Sequence, residues 1–121
     1  MSDDHPLIDP QEARQLYETQ TGSDREFYLE LVATQLGEGE QLLGQMERAI
    51  ADGDAKSFCR VAHTLKGSAR TFGLPRLKAC AMQLEEDSRE DIPAEPQRRL
   101  AELTAVYRDS MESLKTFSQQ L

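Results

Sequence analysis

Ala55-Lys56-Ser57-Phe58-Cys59-Arg60-Val61-Ala62-His63-Thr64-Leu65-Lys66-Gly67-Ser68-Ala69-Arg70-Thr71-Phe72 is the stretch whose pattern fixes how the rest of the chain is read. Placed on a wheel at about 100° per residue, Phe58, Val61, Ala62, Leu65, Ala69 and Phe72 fall on one face, an amphipathic α-helix with that face in a core. Asp54 is a good N-cap before it and Gly73 a left-handed cap after it. His63 points about 150° away from the centre of the apolar face and is expected on the surface. Lys66, Gly67 and Arg70 follow it at the third, fourth and seventh positions, and Lys56 and Arg60 extend the same stripe backwards.

The neighbouring segments repeat the pattern. Asp9-Pro10-Gln11-Glu12 reads as a helix start, with Asp9 as N-cap, Pro10 first in the helix and Glu12 reaching back. That short helix is expected to end near Thr19, before Thr21-Gly22-Ser23. A long helical stretch follows from about Asp24 to Ala51. Phe27, Leu31 and Val32 form its first apolar patch, and Leu42, Leu43, Met46 and Ile50 its last. Gly37, Gly39 and Gly44 lie inside it at a cost of roughly 1 kcal/mol each against Ala, which leaves room for a kink near Gly37. Asp52-Gly53-Asp54 is a turn. Pro75 opens a fourth helix running to about Arg89, Ile92 to Pro96 is the last connection, and Leu100, Leu103, Tyr107, Met111, Leu114, Phe117 and Leu121 stripe a final helix. Four long amphipathic segments with short connections read as an all-α, antiparallel up-down four-helix bundle with a short additional N-terminal helix.

Composition supports that class and narrows the partners. The chain has 121 residues, the size of one domain, and is 38% hydrophobic without Trp, so aliphatic side chains must fill the core. Asp and Glu outnumber Lys and Arg by 22 to 14, a net charge of −8, which argues against nucleic acid and against an anionic membrane surface. No apolar run is long enough to span a bilayer, and the acidic start Met1-Ser2-Asp3-Asp4-His5-Pro6 lacks the apolar stretch of a signal peptide. A cytoplasmic protein is expected, and the Met1-Ser2 start reads as that of a free-standing one. Cys59 and Cys80 follow no framework spacing and read as two free thiols rather than a disulfide.

The stripe around His63 is basic on an acidic protein, contains no Asp or Glu, and carries a glycine in mid-helix where propensity favours Ala. Each feature alone is ordinary; together they fit one chemistry. An exposed imidazole is a nucleophile near neutral pH. A phosphoryl group on its outer nitrogen would be negative, Lys66 one turn on would neutralise part of that charge, and Arg70 would add to the field. Gly67 would remove a side chain that otherwise crowds the ring and an incoming partner. A Cys59–His63 nucleophile pair, four residues apart, is the competing enzymatic reading, but an exposed helix face offers no oxyanion hole. With His5 and His63 the only histidines and no ligand spacing, no metal site is expected, and there is no phosphate-binding Gly-rich loop.

His63-Thr64-Leu65-Lys66-Gly67-Ser68-Ala69 resembles the signature of the histidine-containing phosphotransfer (HPt) domains. There a His, two residues and Lys-Gly-Ser/Ala sit on an exposed face of a four-helix bundle. Ala62, Phe72-Gly73-Leu74, Leu77 and Leu84-Glu85 also match the family habit. The resemblance runs from about Asp24 to the C-terminus; the first short helix is less diagnostic, and residues 1–121 are read as one domain. It implies a phosphorelay intermediate: His63 takes a phosphoryl group from a receiver-domain phospho-aspartate and gives it to another receiver aspartate. Receiver domains and a hybrid histidine kinase would be its partners, Mg²⁺ would sit on the receiver side, and the chain would be a monomeric carrier with no cofactor and no kinase activity. Glu85 would hydrogen-bond the inner ring nitrogen, with Arg60, Ser68 and Arg70 as binding residues. The alternative is a helical binding module that docks receiver or kinase domains without transfer.

Overall fold

The computed structural model describes residues 4–121, so the readings of the Met1-Ser2-Asp3 start lie outside the described residues. Among them are five helices and no strand: α1 Pro10–Gln20, α2 Arg25–Asp52, α3 Ala55–Phe72, α4 Pro75–Asp87 and α5 Pro96–Gln119. Helix α2 packs on α3 and α5, α4 packs on α3 and α5, and α1 packs on α3. The four long helices thus close a ring around one core, an antiparallel up-down bundle with α1 added at its side.

Capping residues set the boundaries of α3. The Asp54 carboxylate accepts from Ser57 N (3.1 Å), and Gly73, at φ 73°, turns the chain in a left-handed cap whose N–H returns to Ala69 O. The six apolar residues that defined the helix are the six it buries: Phe58, Val61, Ala62, Leu65, Ala69 and Phe72. Burial of a side chain the size of Phe58 or Leu65 contributes about 1.5–3 kcal/mol. The α5 stripe is buried from Leu100 to Phe117, and Leu121 is half-buried.

Helix α2 departs from expectation at its start. Tyr28, not Phe27, enters the core; Phe27 remains 44% exposed. The buried stripe runs Tyr28, Val32, Gln35, Gly39, Leu43, Met46 and Ala49. Tyr28 wins the inner position because its ring meets Tyr17 and Phe117 edge-on, at centroid distances of 5.4 and 6.3 Å. The helix runs unbroken through Gly37. Gly39 has a packing reason: a Cβ there would lie 1.8 Å from the Tyr107 hydroxyl oxygen. That hydroxyl donates to Gln35 O at 2.7 Å, pinning α5 to α2.

Two helix-end readings are also corrected. Glu12 does not reach back to Asp9, because the Asp9 N–H donates to Gly73 O (2.8 Å) instead; Asp9 still caps α1 through Gln11 N and Glu12 N. Helix α4 ends at Asp87 rather than near Arg89. There the Ser88 hydroxyl turns back to Leu84 O (2.7 Å), and Arg99 of α5 holds Asp87 (2.9 Å).

Candidate functional site

The α3–α4 corner places the site. His63 precedes Gly73 by ten residues and Glu85 follows it by twelve. In two antiparallel helices of equal rise, residues nearly equidistant from the corner stand at the same height. Lys66 and Cys59, on the flank of α3 that faces α4, come to the same place. His63 Nδ1 lies 2.6 Å from Glu85 Oε2, and Lys66 Nζ lies 2.7 Å from Glu85 Oε1. Cys59 donates its thiol to the Glu85 main-chain carbonyl at 3.4 Å.

The three side chains differ in access. The His63 side chain is 65% exposed, whereas Lys66 and Glu85 retain 19% and 14%. Lys66 is therefore less open than a free surface lysine, since its ammonium is folded onto the neighbouring helix. The Lys66 ammonium, and then the His63 ring, hold the Glu85 carboxyl below the usual carboxylate range against the opposing effect of burial. An ionised carboxylate only accepts hydrogen bonds, so the proton shared with His63 belongs to Nδ1. Nε2 bonds no described residue, and in the neutral ring that nitrogen carries the free electron pair.

The remaining residues of the stripe lie around this centre. Gly67 is exposed, and a Cβ on it would meet no atom within 4 Å. The vacant volume is thus open space beside His63, available to an approaching surface; the resting ring itself does not need it. Arg60 and Arg70 are exposed, with no ion-pair partner among the described residues, and Arg60 makes one long contact to the Ser57 hydroxyl (3.5 Å). Ser68 stands apart: five residues beyond His63 it is turned about 140° around the helix, and it is half-buried. No group of three or more His, Cys, Asp or Glu able to hold a metal occurs among the described residues, and no helix is long and apolar enough to cross a membrane. No disulfide joins Cys59 to Cys80.

Sequence reasoning did not find the Lys66–Glu85 ion pair. Its signal was present only indirectly: His63 and Glu85 are nearly equidistant from Gly73, and Lys66 lies one turn from His63 toward the corner.

The model of the Hpt domain matches residues 30–116, and this chain belongs to that family, the histidine phosphotransfer domains of phosphorelays. Among solved structures, the fold is similar to histidine-containing phosphotransfer protein B (HptB) from Pseudomonas aeruginosa PAO1. The TM-score is 0.83 over 96% of this chain and 97% of that one, at 22% identity. No curated protein matches.

Proposed function

We propose that this chain is a phosphorelay intermediate in which His63 accepts a phosphoryl group from the phospho-aspartate of a receiver domain and passes it to the aspartate of another. The observation that carries the reading is the 2.6 Å contact of His63 Nδ1 with Glu85 on a ring that is otherwise open. It fixes the tautomer and leaves Nε2 as the nucleophile. Lys66 supplies the nearest positive charge for the phosphoryl oxygens, Arg60 and Arg70 extend the field, and Gly67 admits the partner. In this reading the chain is a cytoplasmic, monomeric, single-domain carrier without kinase activity or a cofactor. Its partners are receiver domains and a hybrid histidine kinase, and Mg²⁺ is held by the receiver.

A binding module that docks the same partners without transfer would need the surface but not the His63–Glu85–Lys66 arrangement. The two readings separate in one experiment. Incubation with a phosphorylated receiver is expected to place acid-labile, base-stable phosphate on the wild-type chain and none on His63→Gln. Label retained by His63→Gln, or absent from the wild type with every receiver of the source organism, overturns the carrier reading.

A further inference from the structure

Glu85 is shared. One oxygen takes the Nδ1 proton of His63 and the other takes the Lys66 ammonium, at 2.6 and 2.7 Å. No other carboxylate lies within 4.0 Å of Lys66 among the described residues, so this acid is its one resting ion-pair partner there. On α4, Glu86 is exposed and Asp87 is engaged by Arg99 of α5. From α3, the charged groups facing Glu85 are Lys66 and His63, and no charged group of α2 or α5 is ion-paired with any of the three.

We propose that Glu85 is a positioning residue that competes with the phosphoryl group for Lys66 and afterwards acts as sole counterion of the phosphorylated ring. This rests on His63 being the carrier. In loading, the Nε2 electron pair forms the N–P bond as the P–O bond of the acyl phosphate breaks, and the aspartate leaves as a carboxylate. The ring already carries its Nδ1 proton, so it becomes a cation and no proton is released. Lys66 moves from Glu85 to a phosphoryl oxygen, and Glu85 keeps the Nδ1 proton. Onward donation returns the N–P electrons to Nε2, the ring becomes neutral again, and Lys66 goes back to Glu85. A protonated phospho-imidazole is the better phosphoryl donor, because its leaving group is a neutral ring rather than an anion. A carboxylate at position 85 preserves that form to higher pH than an amide would. Loading also costs the resting Lys66–Glu85 contact, so Lys66 favours the loaded state by less than it would without that competitor.

The experiment loads the full chain with phosphoramidate, a small donor that needs no docking, and follows phosphohistidine by ³¹P NMR across pH. Glu85→Gln is expected to move the alkaline limb of both the ³¹P titration and the loss of phosphate to lower pH. Lys66→Ala is expected to lower the loaded fraction at equilibrium with a receiver by a larger factor in the Glu85→Gln background than in the wild type, about threefold or more between the two. An unshifted limb together with equal factors overturns this inference while leaving the carrier reading in place. No histidine-bound phosphate on the wild type overturns both.

Discussion

Glu85 on α4 is bonded to His63 on α3 at 2.6 Å, across the seam between two helices. An exposed imidazole on an otherwise open helix surface is thereby fixed by its neighbour rather than by its own helix. The same carboxylate makes the seam sensitive to acid. Its folded-state pKa is depressed, so its contribution to stability is fully present above the ordinary carboxylate value, about 4.3, and is lost as pH falls through the lower folded value. Thermal unfolding between pH 6 and 2 is expected to lose more stability in the wild type than in Glu85→Gln, the gap opening below the ordinary value. Parallel curves for the two proteins would show that the pair contributes nothing to folding.

Gly67 separates a steric role from a conformational one. A methyl group there meets nothing within 4 Å, so Gly67→Ala is expected to stabilise the helix by up to about 1 kcal/mol with transfer nearly unchanged. Gly67→Gln fills the open space and is expected to slow transfer from a receiver, while phosphorylation by a small donor persists. Equal receiver rates in all three proteins would remove the steric account.

The Gly39–Tyr107 contact yields a stability test far from the chemistry. A Cβ at position 39 would overlap the phenol, and the surrounding helices are packed on both sides. Gly39→Ala is expected to cost about 1–3 kcal/mol, the usual range for overpacking. Tyr107→Phe removes the bond to Gln35 O and is expected to cost about 1 kcal/mol. Denaturant midpoints decide both; a stabilised Gly39→Ala would mean the phenol moves aside freely.

The sequence-based reading of the core succeeded where one helix was enough to argue from, although Ser68, grouped with the site, lies about 140° around α3 from His63. All six buried residues of α3 and the exposure of His63 follow from a single wheel, and Asp54 and Gly73 mark their own boundaries. It failed where a choice depended on a second element. Phe27 and Tyr28 are adjacent aromatics, and either could begin the α2 stripe; the rings of Tyr17 and Phe117, distant in sequence, select Tyr28. Glu12 lost its place in the cap to a carbonyl more than sixty residues away. Lys66 was read as a free surface cation because its partner lies on α4. The candidate site was legible as a list of residues, but the sharing of one carboxylate between two of them was not.

The clasp between the N-terminal segment and the α3–α4 corner uses main-chain atoms of the segment: the Asp9 N–H donates to Gly73 O, Arg76 N to Pro6 O at 3.1 Å, and the Arg76 side-chain Nε to His5 O at 2.8 Å. Helix α4 has no side-chain N-cap of its own, so the Pro6 carbonyl satisfies one of its first amides. Bonds of this kind do not depend on which side chains occupy positions 5 to 9. The segment can therefore vary at positions 5 and 6 while its mechanical task stays constant, whereas Ile8 packs against the core and Asp9 caps α1. Replacing its residues one at a time would understate that task, which only removal of the whole segment would expose.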